Sequence, residues 1–213
     1  MKKCRWTLRA VVLPVLLLLL LAGCGKKTEE AETATTVIAD GKGNLEQVIV
    51  EPLNGETYTA EELTAYITDS LAEYAEESGT ENIELKECKI QEDIVTIRLT
   101  YDSWIDYLNY NQVACFLGTL EEARTAGYSF DRRFLDNEGA EAAGTTILAH
   151  GQEWKVLILE EPVQVKVPGT ILYTTDNVSI LDASAALIAG RDAGSMAEQF
   201  LATTAETAYI IFK

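Results

Sequence analysis

Between Tyr58 and Gly79 apolar side chains fall at Leu63, Ile67, Leu71 and Tyr74, while Glu61, Thr64, Asp69, Glu73 and Glu76 take the other face. That period of about 3.6 residues predicts an amphipathic helix. Thr59 followed three residues later by Glu62 forms a capping box, Tyr58 and Leu63 are spaced to staple its entry, and Gly79 supplies a stop. On both sides of this helix the period changes to two. Val37 to Ala39 and Leu45 to Glu51 flank Asp40-Gly41-Lys42-Gly43-Asn44, the pattern of a hairpin closed by a glycine-containing turn. Ile83 to Ile90 and Ile94 to Tyr101 flank a Gln91-Glu92-Asp93 turn. In the second run Val95, Ile97, Leu99 and Tyr101 alternate with Thr96, Arg98 and Thr100, as a half-buried antiparallel strand requires. The first run changes phase between Leu85 and Cys88, which predicts a bulge or an edge irregularity.

Further along, Ser103 with Asp106 opens a short helix carrying Trp104, Tyr107 and Leu108, and Thr119 with Glu122 opens another that stops at Gly127. Asp136 to Gly144 is expected to be a loop. Thr146 to His150, Trp154 to Glu160, Val163 to Val167, Ile171 to Thr174 and Val178 to Leu181 are short β-prone runs, broken by Gly151, Pro162, Pro168-Gly169 and Asp176-Asn177. Ala183 to Ala205 is ambiguous, with a helix over Ser195 to Ala202 as one reading, and Ala208 to Phe212 closes the chain as a strand. The pattern predicts an α+β fold: a small, mostly antiparallel sheet with one main amphipathic helix and short helices packed on it. Residues 37–213 are expected to form a single domain.

The first 24 residues follow a different pattern. Lys2, Lys3, Arg5 and Arg9 precede an apolar run from Ala10 to Leu21 that only Pro14 interrupts, which is the plan of a secretory signal. As a helix that run rises only roughly 18 Å, short of the ~30 Å of a hydrocarbon core, so a permanent span is the poorer reading. The run ends in Leu21-Ala22-Gly23-Cys24. A thiol directly after small residues can be alkylated by a diacylglyceryl group before the leader is cut, and the motif resembles the bacterial lipobox. On that resemblance cleavage falls between Gly23 and Cys24 and leaves Cys24 lipidated; the alternative is a plain signal with a chance cysteine. Two acyl chains on one residue suffice for stable anchoring. Residues 24–36, charged and small without apolar periodicity, are expected to be a flexible tether.

Charge narrows the partners. The chain carries 17 basic and 34 acidic residues; loss of the four basic residues of the leader brings its net charge from −17 to −21. Such a surface repels phosphate backbones and anionic headgroups, so neither nucleic acid nor a basic-patch membrane contact is expected. Of the four cysteines, Cys4 lies in the leader and Cys24 carries the lipid. Cys88 and Cys115 remain; both sit beside apolar residues, and two buried free thiols are favoured over a disulfide.

Catalytic signatures are sparse. His150 is the only histidine and has apolar neighbours on one side and Gly151 on the other; without a Gly-x-Ser-x-Gly elbow it reads as a structural residue. One histidine and two distant cysteines lack zinc-ligand spacing, and no phosphate-binding loop follows a strand, so no metal or cofactor is implied. Carboxylates are too abundant for any pair to stand out. The most suggestive cluster is Tyr101, Trp104, Tyr107 and Tyr110 interleaved with Asp102, Asp106, Asn109 and Asn111. Rings that stack on sugars beside polar groups that bond hydroxyls would make a carbohydrate platform, with Trp104, Asp106, Tyr107 and Tyr110 as its candidate ligand-binding residues. Steps of three drift around a helix, however, so a core role for Trp104 and Tyr107 competes with this reading and is favoured. In Tyr128-Ser129-Phe130-Asp131-Arg132-Arg133-Phe134, two arginines are able to meet an anionic partner, although a surface loop pinned by two aromatics is the simpler reading.

The hairpin ending Val48-Ile49-Val50-Glu51, the Tyr58 to Leu63 helix entry, the Trp154 to Val167 run and the terminal Tyr209-Ile210-Ile211-Phe212-Lys213 together resemble a group of lipoproteins of anaerobic Gram-positive bacteria. The resemblance implies a small α+β domain on a lipid anchor with no established activity, and it brings no catalytic residues. The expected protein is thus a lipoprotein on the outer face of the cell membrane, held by its N-terminal lipid, that binds a ligand, an envelope glycan or a protein partner. A carboxylate-dependent hydrolase acting on envelope material and a structural accessory subunit of an envelope complex are the rival expectations.

Overall fold

A computed structural model of the chain describes residues 32–53, 57–190 and 206–213. Strand β1 (Thr36–Ala39) and strand β2 (Leu45–Pro52) form the expected hairpin. Asp40 organises its turn: one carboxylate oxygen accepts from the backbone N–H groups of Lys42, Gly43 and Asn44 at 2.7, 2.8 and 2.9 Å. These bonds hold the Asp40 carboxyl below its ordinary value even though burial acts in the opposite direction. Residues just before β1 belong to the domain as well. Glu32 pairs with Lys166 at 2.5 Å, and the Thr35 hydroxyl both accepts from the Val50 N–H and donates to its carbonyl. The end of the predicted tether is therefore fixed in place.

Helix α1 (Ala60–Ser78) carries both halves of its capping box, with Glu62 N–H donating to the Thr59 hydroxyl at 3.1 Å and Thr59 N–H donating to the Glu62 carboxylate at 2.9 Å. It ends at Gly79 with φ of 72°. Strands β3 (Ile83–Gln91) and β4 (Ile94–Tyr101) follow. Their two-residue turn needs positive φ at both central positions, and Glu92 and Asp93 supply 50° and 62°. Pairing slips between Leu85 and Glu87, so the predicted bulge sits at Lys86.

The remaining elements follow in chain order. Helix α2 (Trp104–Asn111), β5 (Cys115–Thr119) and α3 (Leu120–Thr125) precede a third hairpin, β6 (Arg133–Leu135) with β7 (Glu141–Ala143). Its turn and β7 lie within the stretch Asp136 to Gly144, expected to be a loop. Its pairing spans three residues on each side, too short to produce an alternating pattern, and Asp136 and Gly139 (φ 82°) close its turn. Helix α4 (Gly144–Leu148) replaces the strand expected over Thr146 to His150. Packing decides against local β-propensity here: Ile147 is fully buried, and a Cβ on Gly144 would lie 1.9 Å from the Phe130 carbonyl oxygen. Then come β8 (Lys155–Leu159), β9 (Gln164–Lys166), β10 (Ile171–Thr174), β11 (Val178–Ile180), β12 (Ala185–Ile188) and β13 (Ala208–Phe212). The ambiguous stretch thus begins with a strand, β12, whereas the helix expected over Ser195 to Ala202 lies outside the described residues.

The fold is α+β, with its strands divided between two sheets. One has the order β11-β12-β9-β1-β2-β4-β3, the other β5-β8-β13-β10-β6-β7. Among the described pairs only β1 with β9 is parallel. Val37, Leu45, Leu99, Val165 and Ile188 of the first sheet share one apolar cluster with Leu117, Leu157, Ile210 and Phe212 of the second. Alternate residues of the second sheet, Phe116, Val156, Ile158, Tyr209 and Ile211, join a second cluster with Leu120, Phe130, Phe134 and Ile147. The second sheet is therefore covered on both faces, which explains why Val156 to Leu159 and Ala208 to Phe212 are unbroken apolar runs. The β4 run keeps its alternation, with Val95, Leu99 and Tyr101 buried between partly exposed neighbours.

Candidate functional site

The ends of four interior strands of the second sheet converge. Strand β13 pairs Ala208 with Leu159 of β8 and Ile210 with Thr174 of β10, and Thr174 also pairs with Leu135 of β6. The segments leading into or out of these strands therefore meet. Arg132, Arg133, Glu160, Thr175, Asp176, Asn177, Glu206 and Thr207 line an open cleft of about 450 Å³, within the size range of small-molecule sites.

The cleft is anchored from below by aromatic packing. Tyr209 is buried and meets Phe130 and Phe134 edge-on at 5.4 and 5.9 Å. The Arg132 guanidinium lies over the Tyr209 ring at 4.3 Å and donates to the Thr207 carbonyl at 3.0 Å. Phe130 and Phe134 are buried, as the sequence predicts, but Arg133 and Phe134 belong to β6 and not to the expected loop. Burial raises the Tyr209 hydroxyl above its ordinary value, with Arg132 opposing the shift and Glu160 adding to it. The opposite wall is stitched by short polar bonds. The Thr175 hydroxyl accepts from the Tyr209 N–H at 3.0 Å and donates to the Asn177 side-chain oxygen at 2.7 Å. Asn177 donates onward to the Glu206 carbonyl at 2.9 Å, and the Thr207 hydroxyl donates to Glu160. Arg133 is committed to Glu141 at 2.8 Å. Arg132 carries no ion pair among the described residues.

A second polar cluster lies inside the domain. The Tyr101 hydroxyl donates to the Gln47 side-chain oxygen at 2.8 Å, the Gln47 amide reaches the Tyr107 hydroxyl at 3.3 Å, and that hydroxyl donates to the Glu161 carboxylate. Asn111 donates to the Tyr101 hydroxyl at 3.2 Å. Burial is the largest cause that raises the Glu161 carboxyl above its ordinary value, and the Tyr107 bond lowers it only in part. Burial also pushes the Tyr101, Tyr107 and Cys115 groups upward, with the Glu161 charge adding to each. This chain ties β2, β4 and α2 to the connection between β8 and β9.

Of the four candidate ligand-binding residues, Trp104 and Tyr107 pack with the core, the reading favoured from the sequence. Tyr107 is fully buried and 6% of Asp106 is exposed. Asp106 N–H donates to the Ser103 hydroxyl, which donates back to the Asp106 carboxylate at 2.5 Å. Trp104 packs against both apolar clusters and tilts against Phe116 at 5.1 Å. Tyr110 meets Tyr74 edge-on at 5.5 Å and bonds Ser70 through its hydroxyl at 3.2 Å. Successive steps of three turn by about 300° and drift around α2, so the rings of Trp104, Tyr107 and Tyr110 meet different neighbours and form no flat stack. His150 lies flat on Trp154, with centroids 3.7 Å apart and planes at 9°. Cys88 and Cys115 are free thiols. Gly23 and Cys24 lie outside the described residues.

Among the described residues no group of three or more His, Cys, Asp or Glu side chains is arranged to hold a metal ion, and no helix is long and apolar enough to cross a membrane. Large exposed apolar side chains are dispersed over the segment before α1 (Tyr58), α1 (Tyr66), the start of β4 (Ile94), α2 (Ile105) and the β11–β12 turn (Leu181). The arginines of the cleft stand out in sequence as an adjacent pair. Its other wall does not, since Thr175, Asn177 and Thr207 are ordinary turn residues until β13 joins their strands. Glu161 had one sequence signal, an acid in a short connector between two apolar strands.

Fold and cleft together define a two-sheet α+β domain with an open polar cleft at the ends of interior strands of its second sheet. No family model matches the chain, and neither a curated protein nor a solved structure matches it.

Proposed function

We propose that the protein is a lipid-anchored extracellular domain that binds a ligand or partner at the cell envelope, with the Arg132 cleft as its binding surface. The observation that carries the anchoring is Leu21-Ala22-Gly23-Cys24 after a basic and apolar leader. A net charge of −17 for the chain leaves the lipid as the means of holding such a domain at an anionic membrane. Binding is favoured over catalysis by the make-up of the cleft. A carboxylate-dependent hydrolase draws on the same surface, since Glu160, Asp176 and Glu206 line it. The raised carboxyl of Glu161 bonds Tyr107 inside the domain and is not among the residues that line the cleft.

Labelling of cells with a fatty-acid analogue, followed by membrane fractionation, tests this reading. The wild-type chain is expected to incorporate label and sediment with membranes. Cys24→Ala is expected to lose the label and to accumulate as uncleaved precursor or soluble material. Equal labelling of the two proteins overturns the lipid anchor. Release of sugar or peptide products from envelope material by the purified protein, abolished by Glu160→Gln or Asp176→Asn, would instead establish the hydrolase.

A further inference from the structure

We infer that the Arg132 cleft recognises a zwitterion, a ligand that carries a carboxylate and an ammonium group, as free amino acids and peptide ends do. The inference rests on the binding reading above and names its ligand class. Its basis is the set of charges left over once the internal bonds of the cleft are drawn. Glu160 accepts from Thr207 and Arg133 is paired with Glu141. Arg132, Asp176 and Glu206 all line the cleft, yet among the described residues none of the three enters an ion pair. Opposite charges that share one cleft without meeting leave room between them for a ligand of inverse polarity.

Arg132 is prepared for this task. Its stacking on Tyr209 at 4.3 Å and its bond to the Thr207 carbonyl hold the guanidinium before any ligand arrives, so little side-chain freedom remains to be lost on binding. Its remaining N–H donors suit a carboxylate. Asp176 and Glu206 stand on segments joined by the Asn177 bond to the Glu206 carbonyl at 2.9 Å, which fixes the wall that receives the ammonium group. A ligand with cationic charge alone meets the unpaired arginine, and one with anionic charge alone meets two carboxylates within an acidic chain. A zwitterion satisfies both walls.

Saturation-transfer NMR on the full-length lipidated protein in detergent tests the inference with four probes: glycine, glycylglycine, N-acetylglycine and glycinamide. At least one zwitterion is expected to bind, with N-acetylglycine and glycinamide tenfold or more weaker. Binding of glycine assigns a free amino acid, and binding of glycylglycine alone assigns a peptide end. Arg132→Gln is expected to weaken the zwitterion at least tenfold. Asp176→Asn with Glu206→Gln reports independently of the Tyr209 stack, and is expected to weaken the zwitterion while sparing N-acetylglycine. Absence of zwitterion binding, or equal binding of all four probes to variants that melt like the wild type, overturns the inference. Cys24→Ala is expected to bind the same probe unchanged, so a failed anchor and a failed ligand assignment give different results.

Discussion

The Tyr107 hydroxyl donates to the Glu161 carboxylate, and no cation among the described residues pairs with that carboxylate. A charge with a phenol for its donor sits in the fold because α2 and the β8–β9 connection both pack against the shared apolar cluster. Burial raises the Glu161 carboxyl above the ordinary value of 4.5. In the interval between that value and the raised one the folded state binds more protons than the unfolded chain, so stability falls as pH rises. The contribution of neutral Glu161 is complete below 4.5 and is lost as pH climbs through the folded value. Glu161→Gln is therefore expected to gain on the order of 1 kcal/mol over wild type at neutral pH, the scale of a buried polar group without full compensation. That advantage should shrink toward pH 4.5. Urea midpoints of the two proteins across this range check the sign, and a constant difference refutes it.

Tyr107 should couple energetically to Glu161. Tyr107→Phe removes the donor to Glu161 and the acceptor of the Gln47 amide, leaving two buried groups short of a partner at a cost of about 1–3 kcal/mol. In the Glu161→Gln background the same change is expected to cost less, because a neutral amide needs the phenol less than a carboxylate does. A double-mutant cycle with a coupling of about 0.5 kcal/mol or more confirms the pairing, and additivity argues against it.

Two glycines are dictated by close approach. A Cβ at Gly144 would lie 1.9 Å from the Phe130 carbonyl oxygen, and one at Gly169 would lie 2.3 Å from the Lys213 carbonyl oxygen, whereas nothing stands within 4 Å of Gly41. Backbone cannot yield as a side chain can, so Gly144→Ala and Gly169→Ala are each expected to cost about 1–3 kcal/mol or more. Gly41→Ala should stay within about 0.5 kcal/mol. Thermal melts of the three variants rank them directly.

Trp104 separates a core residue from a sugar platform. It packs against both apolar clusters, so Trp104→Ala is expected to cost about 3 kcal/mol and lower the melting temperature by several degrees. Retained stability accompanied by loss of glycan binding would restore the platform reading.

Local rules in the sequence located most elements because they act within a few residues. Thr59 and Glu62, Ser103 and Asp106, and Thr119 and Glu122 each place a helix start that the structure contains, and the phase change after Leu85 marks the Lys86 bulge. What the pattern did not carry is partnership between distant strands. The parallel contact of Thr36 with Gln164 and the pairing of Ala208 with Leu159 join segments whose side-chain alternation is the same whichever sheet they enter. The division into two sheets, and the cleft that follows from it, were therefore hidden. α4 was missed for a related reason: Thr145, Thr146 and Ile147 favour a strand locally, and the buried seat of Ile147 overrides that preference.

The two thiols of the domain should differ in reactivity by orders of magnitude. Cys115 is fully buried, and burial together with the nearby Glu161 charge pushes its thiol far above the ordinary value, so the reactive thiolate is scarce. Cys88 is only partly buried and lies on β3, an edge strand of the first sheet, with its sulfur 3.8 Å from the Ala60 carbonyl. In a full-length Cys4→Ala, Cys24→Ala background, an aromatic disulfide reagent at pH 8 is expected to label Cys88 in the native protein. Cys115 should react only at the rate of global unfolding, at least a hundredfold slower. Under denaturant without reductant both should titrate, because both are free thiols in the fold. Recovery of no thiol until reductant is added would mean that the two are bridged, and equal native rates would mean that Cys115 is far more accessible than its position in the shared core allows.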